Sequence, residues 1–266
     1  MSQPGSSSHT SAPDTAARLA VRERPDRWAV GRQRWSDLLF LHWRVDPAQV
    51  QAGLPRGLHV DTFGGAAYVG IVPFKMERVR PAGLPPLPWL SWFLELNVRT
   101  YVHDAHGRPG VWFYSLDCNQ PFAVALARRF FHLPYFRAHM ECERLDERIQ
   151  YRCRREGAGG PDWCYEWEPA CGSRTAEPGS LEFFLLERYL LFAAAPDGQL
   201  FSGRVHHEPY RFDAVALGGH SVGPARAAGF ACEGAPESVL GADPVDVSVF
   251  ALEAFGGAVD DMDYRD

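Results

Sequence analysis

The chain has 266 residues, 46% of them hydrophobic and 13% aromatic, with a formal net charge of −6. A chain of that make-up can bury a large core, and its acidic balance argues against a nucleic-acid surface. No uncharged apolar run approaches the roughly 20 residues of a membrane-spanning helix, and the N-terminus carries neither a basic region nor an apolar leader core.

Residues 1–27 are small and polar and are expected to be disordered. Trp35 to Val45 alternates as a first strand, with His42 and Arg44 on one face. Asp46-Pro47 caps a short helix to Ala52. Leu58 to Phe63 and Ala66 to Met76 read as a hairpin across Gly64-Gly65. Pro81 to Pro88 holds four prolines and is an extended loop. The apolar Leu84 to Trp92 segment suits a lid, an oligomer contact or plain loop packing.

Phe93 to His103 and Val111 to Asp117 both alternate with a period of two and predict an antiparallel hairpin. With His103 opposite Val111, Glu95, Asn97, Arg99, Ser115 and Asp117 share one face. That face either meets water or, given Phe93, Tyr101 and Phe113 among the charges, lines a pocket.

Gln120 to Leu133 is expected to be helical, with a stripe of Phe122, Leu126, Phe130 and Leu133, stopped by Pro134. Tyr135 to Arg144, Arg148 to Arg155 and Asp162 to Pro169 read as strands. Leu181 to Arg188 is a helix capped by Ser180. Tyr189 to Ala195 and Leu200 to His207 make a further hairpin, and Val245 to Leu252 a last strand. Gly256 to Asp266 is an acidic tail, so residues 28–255 are expected to form one domain.

The six cysteines include no C-x-x-C pair, and no ligand spacing typical of zinc sites occurs, so neither a metal nor a cofactor is expected. Without a leader or a disulfide framework, the chain reads as reduced and cytoplasmic. Gly219-His-Ser-Val-Gly223 matches a nucleophile elbow, but no histidine follows Ser221 to act as its base, so the match reads as chance. His206 and His207 point to opposite faces of a strand. Glu187-Arg188 reads as an ion pair anchoring Tyr189.

Several stretches together resemble the YqjF-like family of bacterial proteins, domain of unknown function 2071. They are Leu39-Phe-Leu-His-Trp-Arg-Val-Asp46, Val72-Pro-Phe-Lys75, Glu95-Leu-Asn-Val-Arg-Thr-Tyr101 and Gly110-Val-Trp-Phe-Tyr-Ser-Leu-Asp117. Ala127-Arg-Arg129 with Leu133-Pro-Tyr135, Glu187-Arg-Tyr189 and Val205-His-His207 complete the set. The resemblance covers about residues 30 to 252.

That family is in turn similar, more distantly, to acetoacetate decarboxylase. The likeness implies a mainly β fold: a cone-shaped antiparallel β barrel with a few short helices and an enclosed pocket. It implies a pocket glutamate at Glu95 and an arginine at Arg128. Where the decarboxylase carries its Schiff-base lysine after a proline, this chain has Tyr135 and Phe136. Tyrosine cannot form an iminium, so the scaffold does not carry the amine chemistry with it. Lys75, the chain's single lysine, ends an apolar strand and reads as an exposed strand-end residue.

The leading expectation is a barrel that binds a small carboxylate or carbonyl compound. Glu95 and Tyr135 are its acid-base candidates, Arg99 and Arg128 its anion clamps, and Asn97, Asp117 and His42 its wall. A lyase or isomerase working through an enol-type intermediate fits those groups. A non-catalytic binder or sensor on the same scaffold, and homo-oligomerisation, stay open.

Overall fold

The computed structural model describes residues 12–255. Strands dominate, as the alternating runs predict. β1 (Gly31–Ser36) and β2 (Leu38–Val45) are followed by helix α2 (Pro47–Ala52), β3 (Leu58–Val60) and the long β4 (Ala67–Pro81). α1 (Thr15–Ala20) precedes them, its N-cap Asp14 accepting the Ala17 N–H. The central hairpin is β5 (Phe93–Asp104) and β6 (Pro109–Cys118). Then come α3 (Pro121–Phe131), β7 (Tyr135–Leu145), β8 (Arg148–Arg155) and β9 (Trp163–Trp167). The C-terminal third holds β10 (Arg174–Thr175), α4 (Leu181–Leu186), β11 (Leu190–Ala194), β12 (Leu200–His206), β13 (Arg211–Ala214) and β14 (Leu217–Gly219). α5 (Gly223–Ala227), β15 (Ser238–Ala242), β16 (Val245–Val249) and β17 (Glu253–Phe255) end it.

Following hydrogen-bonded neighbours closes a ring. β1 pairs with β4, β4 with β5, and β5 with β6; β6 runs parallel to β11; β11 pairs with β12, β12 with β16, and β16 returns to β1. Closure removes sheet edges and creates an inside. Two sheets flare from the ring. One runs from β4 through β2, β15 and β13 to β10. The other leaves β6 through β7, β8 and β9 to β14.

The flared sheets bury the outer face of the ring as well. Along β4, Val72, Phe74 and Met76 join the core inside the barrel, while Val69 and Ile71 join a second core with Leu96, Val98, Ile149, Tyr151 and Trp167. The polar face of β5 therefore does not meet bulk water. Glu95, Asn97 and Tyr101 are buried and Arg99 is half-buried.

Four expectations need correcting. First, residues 12–27 are not featureless: α1 is fastened by Arg18, which pairs with Asp61 at 2.7 Å, and Val21 is buried. Residues 1–11 and the acidic tail lie outside the described residues. Second, β3 pairs with the far end of β5, not with β4. Only the Phe63–Ala66 bridge spans Gly64 and Gly65, whose φ angles of 57° and 80° both need glycine's freedom. Third, the stripe on α3 faces outward. Val124 is buried beneath the helix, and Phe122, Leu126 and Phe130 are exposed.

The fourth correction is the register of the central hairpin. His103 pairs with Pro109 and Arg99 with Phe113, and a bulge on β6, the extra residue Tyr114, puts Val98 opposite Ser115 and Asn97 opposite Leu116. An extra residue flips the alternation beyond it. Leu116 and Cys118, not Ser115 and Asp117, thus share the face of Glu95 and Asn97.

Candidate active site

β5 delivers one side chain in two to the barrel interior: Glu95, Asn97, Arg99 and Tyr101. They fall into two groups, because four steps along the strand separate Glu95 from Arg99 by about 13 Å of backbone.

The first group centres on Glu95, which is 4% exposed. β7 starts where α3 stops, at Pro134, and this brings Tyr135 beside it. The Tyr135 hydroxyl donates to Glu95 Oε2 at 2.7 Å. Burial pushes the Glu95 carboxyl up to about 7, against the hydrogen bonds from Tyr135 and Asn97, with the Asp117 charge adding to the rise. Burial and the neighbouring Glu95 hold the Tyr135 phenol well above its ordinary value. Cys118 lies near, and burial lifts its thiol to about 12, so it is no nucleophile at neutral pH. Asn97 Oδ1 is buried without a hydrogen-bond partner. From below, the Tyr151 hydroxyl donates to the Glu95 backbone carbonyl at 2.8 Å and fixes the strand.

The second group surrounds Arg99. Its Nη2 donates to the Leu185 carbonyl at 3.2 Å, its Nε is buried without a partner, and it forms no ion pair among the described residues. The guanidinium lies over the rings of Phe40 and Tyr101, at 5.4 and 5.7 Å from their centroids. The Tyr101 hydroxyl donates to the Leu185 carbonyl at 3.0 Å, so His42 Nε2 donates to the Tyr101 oxygen at 2.7 Å. That tautomer leaves His42 Nδ1 as a bare, buried acceptor. Burial and the Arg99 charge hold His42 well below its ordinary range, hence neutral. His207 is alike: Nδ1 donates to the Glu208 carbonyl at 2.7 Å, Nε2 is unpartnered, and burial lowers its pKa to about 4. A cation with no counter-charge among the described residues, ringed by aromatic faces and two neutral imidazoles, has the chemistry to accept an anion.

Gly70 on β4 permits this packing. A Cβ there would stand 3.1 Å from His42 Cδ2 and 3.3 Å from Nε2. Gly70→Ala is expected to displace the His42 ring and cost about 1–3 kcal/mol by overpacking, read as a lower urea midpoint; an unchanged midpoint would mean that the ring moves freely.

The remaining sequence candidates lie elsewhere. Arg128 is exposed on α3, and its Nε donates to the Tyr135 backbone carbonyl at 2.7 Å. It fastens the α3–β7 junction and so positions Tyr135, but it does not enter the interior with Glu95. Asp117 points out of the ring and holds Arg155 through two bonds of 2.6 and 2.8 Å. The bulge accounts for this. Lys75 Nζ is 2.6 Å from Asp37; burial pulls the ammonium pKa down, but the Asp37 hydrogen bond and the Cys142, Asp37 and Glu77 charges together outweigh it and raise it. It cannot serve as a neutral amine.

Glu187 does not pair with Arg188. It accepts from the Tyr189 hydroxyl and from the Tyr210 N–H at 3.2 Å, while Arg188 turns to Asp61 at 2.8 Å. His206 is partly exposed and His207 buried. Gly218, Gly219 and His220 line an outer cleft of about 620 Å³ on the β7–β9 sheet, away from the barrel interior. Tyr101 is reached by the alternation of β5, whereas His207 lies just past the end of β12, where no sequence pattern marks it.

Among solved structures, the fold is shared with an acetoacetate decarboxylase-like enzyme from Sphingomonas wittichii RW1 (TM-score 0.60, 14% identity, 87% of this chain and 95% of that one). It is shared also with acetoacetate decarboxylase from Legionella pneumophila (0.59, 13%, 98% and 100%). The enduracididine biosynthesis enzyme MppR, complexed with pyruvate, matches at 0.55 with 14% identity over 87% and 93%. The chain is therefore an acetoacetate decarboxylase-like barrel. It belongs to the family DUF2071, described as an uncharacterized conserved protein, whose model matches residues 32–246. Uncharacterized protein YqjF of Bacillus subtilis (strain 168) is 39% identical over 186 residues, 70% of this chain and 76% of that protein. Among the described residues no helix is long and apolar enough to cross a membrane.

Proposed function

We propose that this protein binds a small oxo-carboxylate inside its barrel and moves a proton at the carbon next to the carbonyl, as a lyase or isomerase acting through an enol. The observation that carries the reading is the buried Glu95 carboxyl, hydrogen-bonded by Tyr135 and poised near neutrality. A base poised near the working pH is what carbon-acid chemistry needs. Arg99 supplies the carboxylate site, and once Glu95 has taken the substrate proton and donates it to the Tyr135 oxygen, the Tyr135 hydroxyl is free to donate to the developing oxyanion. The chain's one lysine is committed to Asp37, which argues against an iminium route. The likeness to MppR, solved with pyruvate, supports an oxo acid as the ligand class. A cytoplasmic location suits the six unpaired cysteines.

The spacing of the two groups favours a ligand longer than pyruvate, with its carboxylate at Arg99 and its reacting carbon near Glu95. A panel of straight-chain 2-oxo and 3-oxo acids of increasing length, incubated in D₂O and followed by proton NMR, tests this. Wild-type protein is expected to exchange protons next to the carbonyl. Arg99→Met is expected to raise KM about 10- to 100-fold, the worth of a charge-assisted bond, with kcat little changed. The second reading, an anion receptor without turnover, rests on the unpaired Arg99 alone. Binding without exchange would establish it, and neither binding nor exchange across the panel would remove both.

A further inference from the structure

Two neighbouring elements leave large apolar side chains in water. On the loop between β4 and β5, Leu87, Trp89 and Trp92 are exposed, Trp89 at 78%; on α3, Phe122, Leu126 and Phe130 are exposed, Phe122 at 68%. The Gln120 side-chain amide donates to the Trp89 carbonyl at 2.9 Å, and the Leu94 N–H donates to Asn119 Oδ1 at 2.8 Å. These bonds hold the loop and the start of the helix side by side. Isolated exposed hydrophobics need no explanation; six on two joined elements do.

We infer that this face is the two-fold interface of a homodimer. Its six side chains present roughly 700 Å² of apolar surface, taking about 150–250 Å² for a large aromatic. That exceeds the ~300–600 Å² patch of an ordinary monomer and approaches the ~800 Å² per partner of a standard stable interface.

A second copy is the occupant the chemistry favours. Residues 82–93 carry no charged side chain, so the loop offers no charge pattern for a foreign partner to read. An isologous contact needs only a self-complementary apolar centre. The lack of charge also lets two chains of net charge −6 meet where repulsion is least. Arg128 and Arg129, at the end of α3, supply a polar rim. Pro85, Pro86 and Pro88 restrict the loop backbone, and a turn in which the Leu90 and Ser91 N–H groups donate to the Leu87 carbonyl closes it, which lowers the entropy lost on association. The same elements lead directly into Phe93 on β5 and Tyr135 on β7, so the dimer would brace the barrel end that carries Glu95.

The test is the mass of the full chain in solution, by light scattering and sedimentation velocity across micromolar concentrations. Wild-type protein is expected at twice the 29.7 kDa of one chain. Trp89→Asp with Phe122→Asp, and separately Leu126→Arg with Phe130→Arg, are each expected to weaken association at least about thirty-fold, the loss of one strong anchor. Unchanged circular dichroism in either pair rules out misfolding as the cause. A wild-type monomer at every concentration overturns the inference, as does a dimer that survives both pairs. A monomer that co-sediments with neutral phosphatidylcholine vesicles also overturns it, and assigns the face to lipid.

Discussion

Glu95→Gln is expected to abolish proton exchange and, at the same time, to make the protein more stable above neutral pH. Glu95 is raised from 4.5 to about 7 in the folded chain, chiefly by burial. Between those values the folded state keeps a proton that the unfolded state has released. The carboxyl's contribution is therefore fully present below pH 4.5 and is lost as pH rises through about 7. At pH 8 the buried carboxylate costs on the order of 3 kcal/mol relative to a neutral group, at about 1.4 kcal/mol per pKa unit.

Glutamine carries no charge at any pH and keeps the shape. Its oxygen can accept from Tyr135, and its amide can donate to the unpartnered Asn97 Oδ1. The variant should match wild type at pH 5 and melt about 6–12 °C higher at pH 8, at roughly 2–4 °C per kcal/mol for a chain of this size. Thermal unfolding of both proteins across pH 4.5–8.5 reads this directly. Equal slopes would show that the carboxyl is not held up by its surroundings. Catalysis runs the other way: only the ionised form removes a proton, so wild-type exchange should rise with pH through about 7, and the variant should lose about 10²–10⁴-fold. A carboxylate that would destabilise the fold when ionised fits the proposed proton transfer better than a packing role.

The alternation of β5 is the part of this site that can be read from the chain. A period of two puts Glu95, Asn97, Arg99 and Tyr101 on one face whatever surrounds them, and the structure turns that face into the barrel. The opposite face was equally legible, because Leu94, Leu96, Val98 and Val102 are apolar. What alternation cannot reveal is a bulge. One extra residue near Tyr114 is stabilised by the pairing of the whole sheet, not by local preference, and it sends Asp117 out to Arg155.

Arg128 illustrates a second limit. The resemblance to the decarboxylase implies a pocket arginine at this position, but the Arg128 guanidinium is drawn to the Tyr135 carbonyl at the helix end. α3 is the third case. Periodicity detects a stripe and assumes that it faces the core, yet Val124, Ala123 and Ala127 already cover the barrel, and Phe122, Leu126 and Phe130 are left exposed. The helix in residues 15–20 escaped because its anchor is a single arginine reaching Asp61, 43 residues away.

That anchor belongs to the contact whose loss should cost most in stability. Asp61 is fully buried and accepts from Arg18 at 2.7 and 2.8 Å and from Arg188 at 2.8 Å. Burial alone would raise its pKa, but the Arg188 and Arg18 charges prevail and lower it. Arg188 lies between the rings of Tyr101 and Phe184, 4.8 and 4.3 Å from their centroids, and donates to the Phe184 carbonyl at 2.6 Å. Burial and the neighbouring Arg18 bring its own pKa down to about 10, against the pull of Asp61.

Asp61→Asn removes the only negative charge in this triad and leaves Arg188 buried with no ionic partner. The expected loss is about 3–5 kcal/mol, the cost of breaking one half of a buried ion pair. Adding Arg188→Met should recover more than half of it, since Arg18 sits on the peripheral α1 and can return to water. Urea unfolding of the two variants and the wild type measures both terms; a small loss in the single variant, or additive losses in the double, would show that the charges are not truly desolvated. The same pair of variants reaches the anion site proposed at Arg99. Arg188 packs on the ring of Tyr101, whose hydroxyl orients His42 and shares the Leu185 carbonyl with Arg99. Asp61→Asn should therefore weaken oxo-acid binding from outside the barrel, with no change in the pH at which Glu95 ionises.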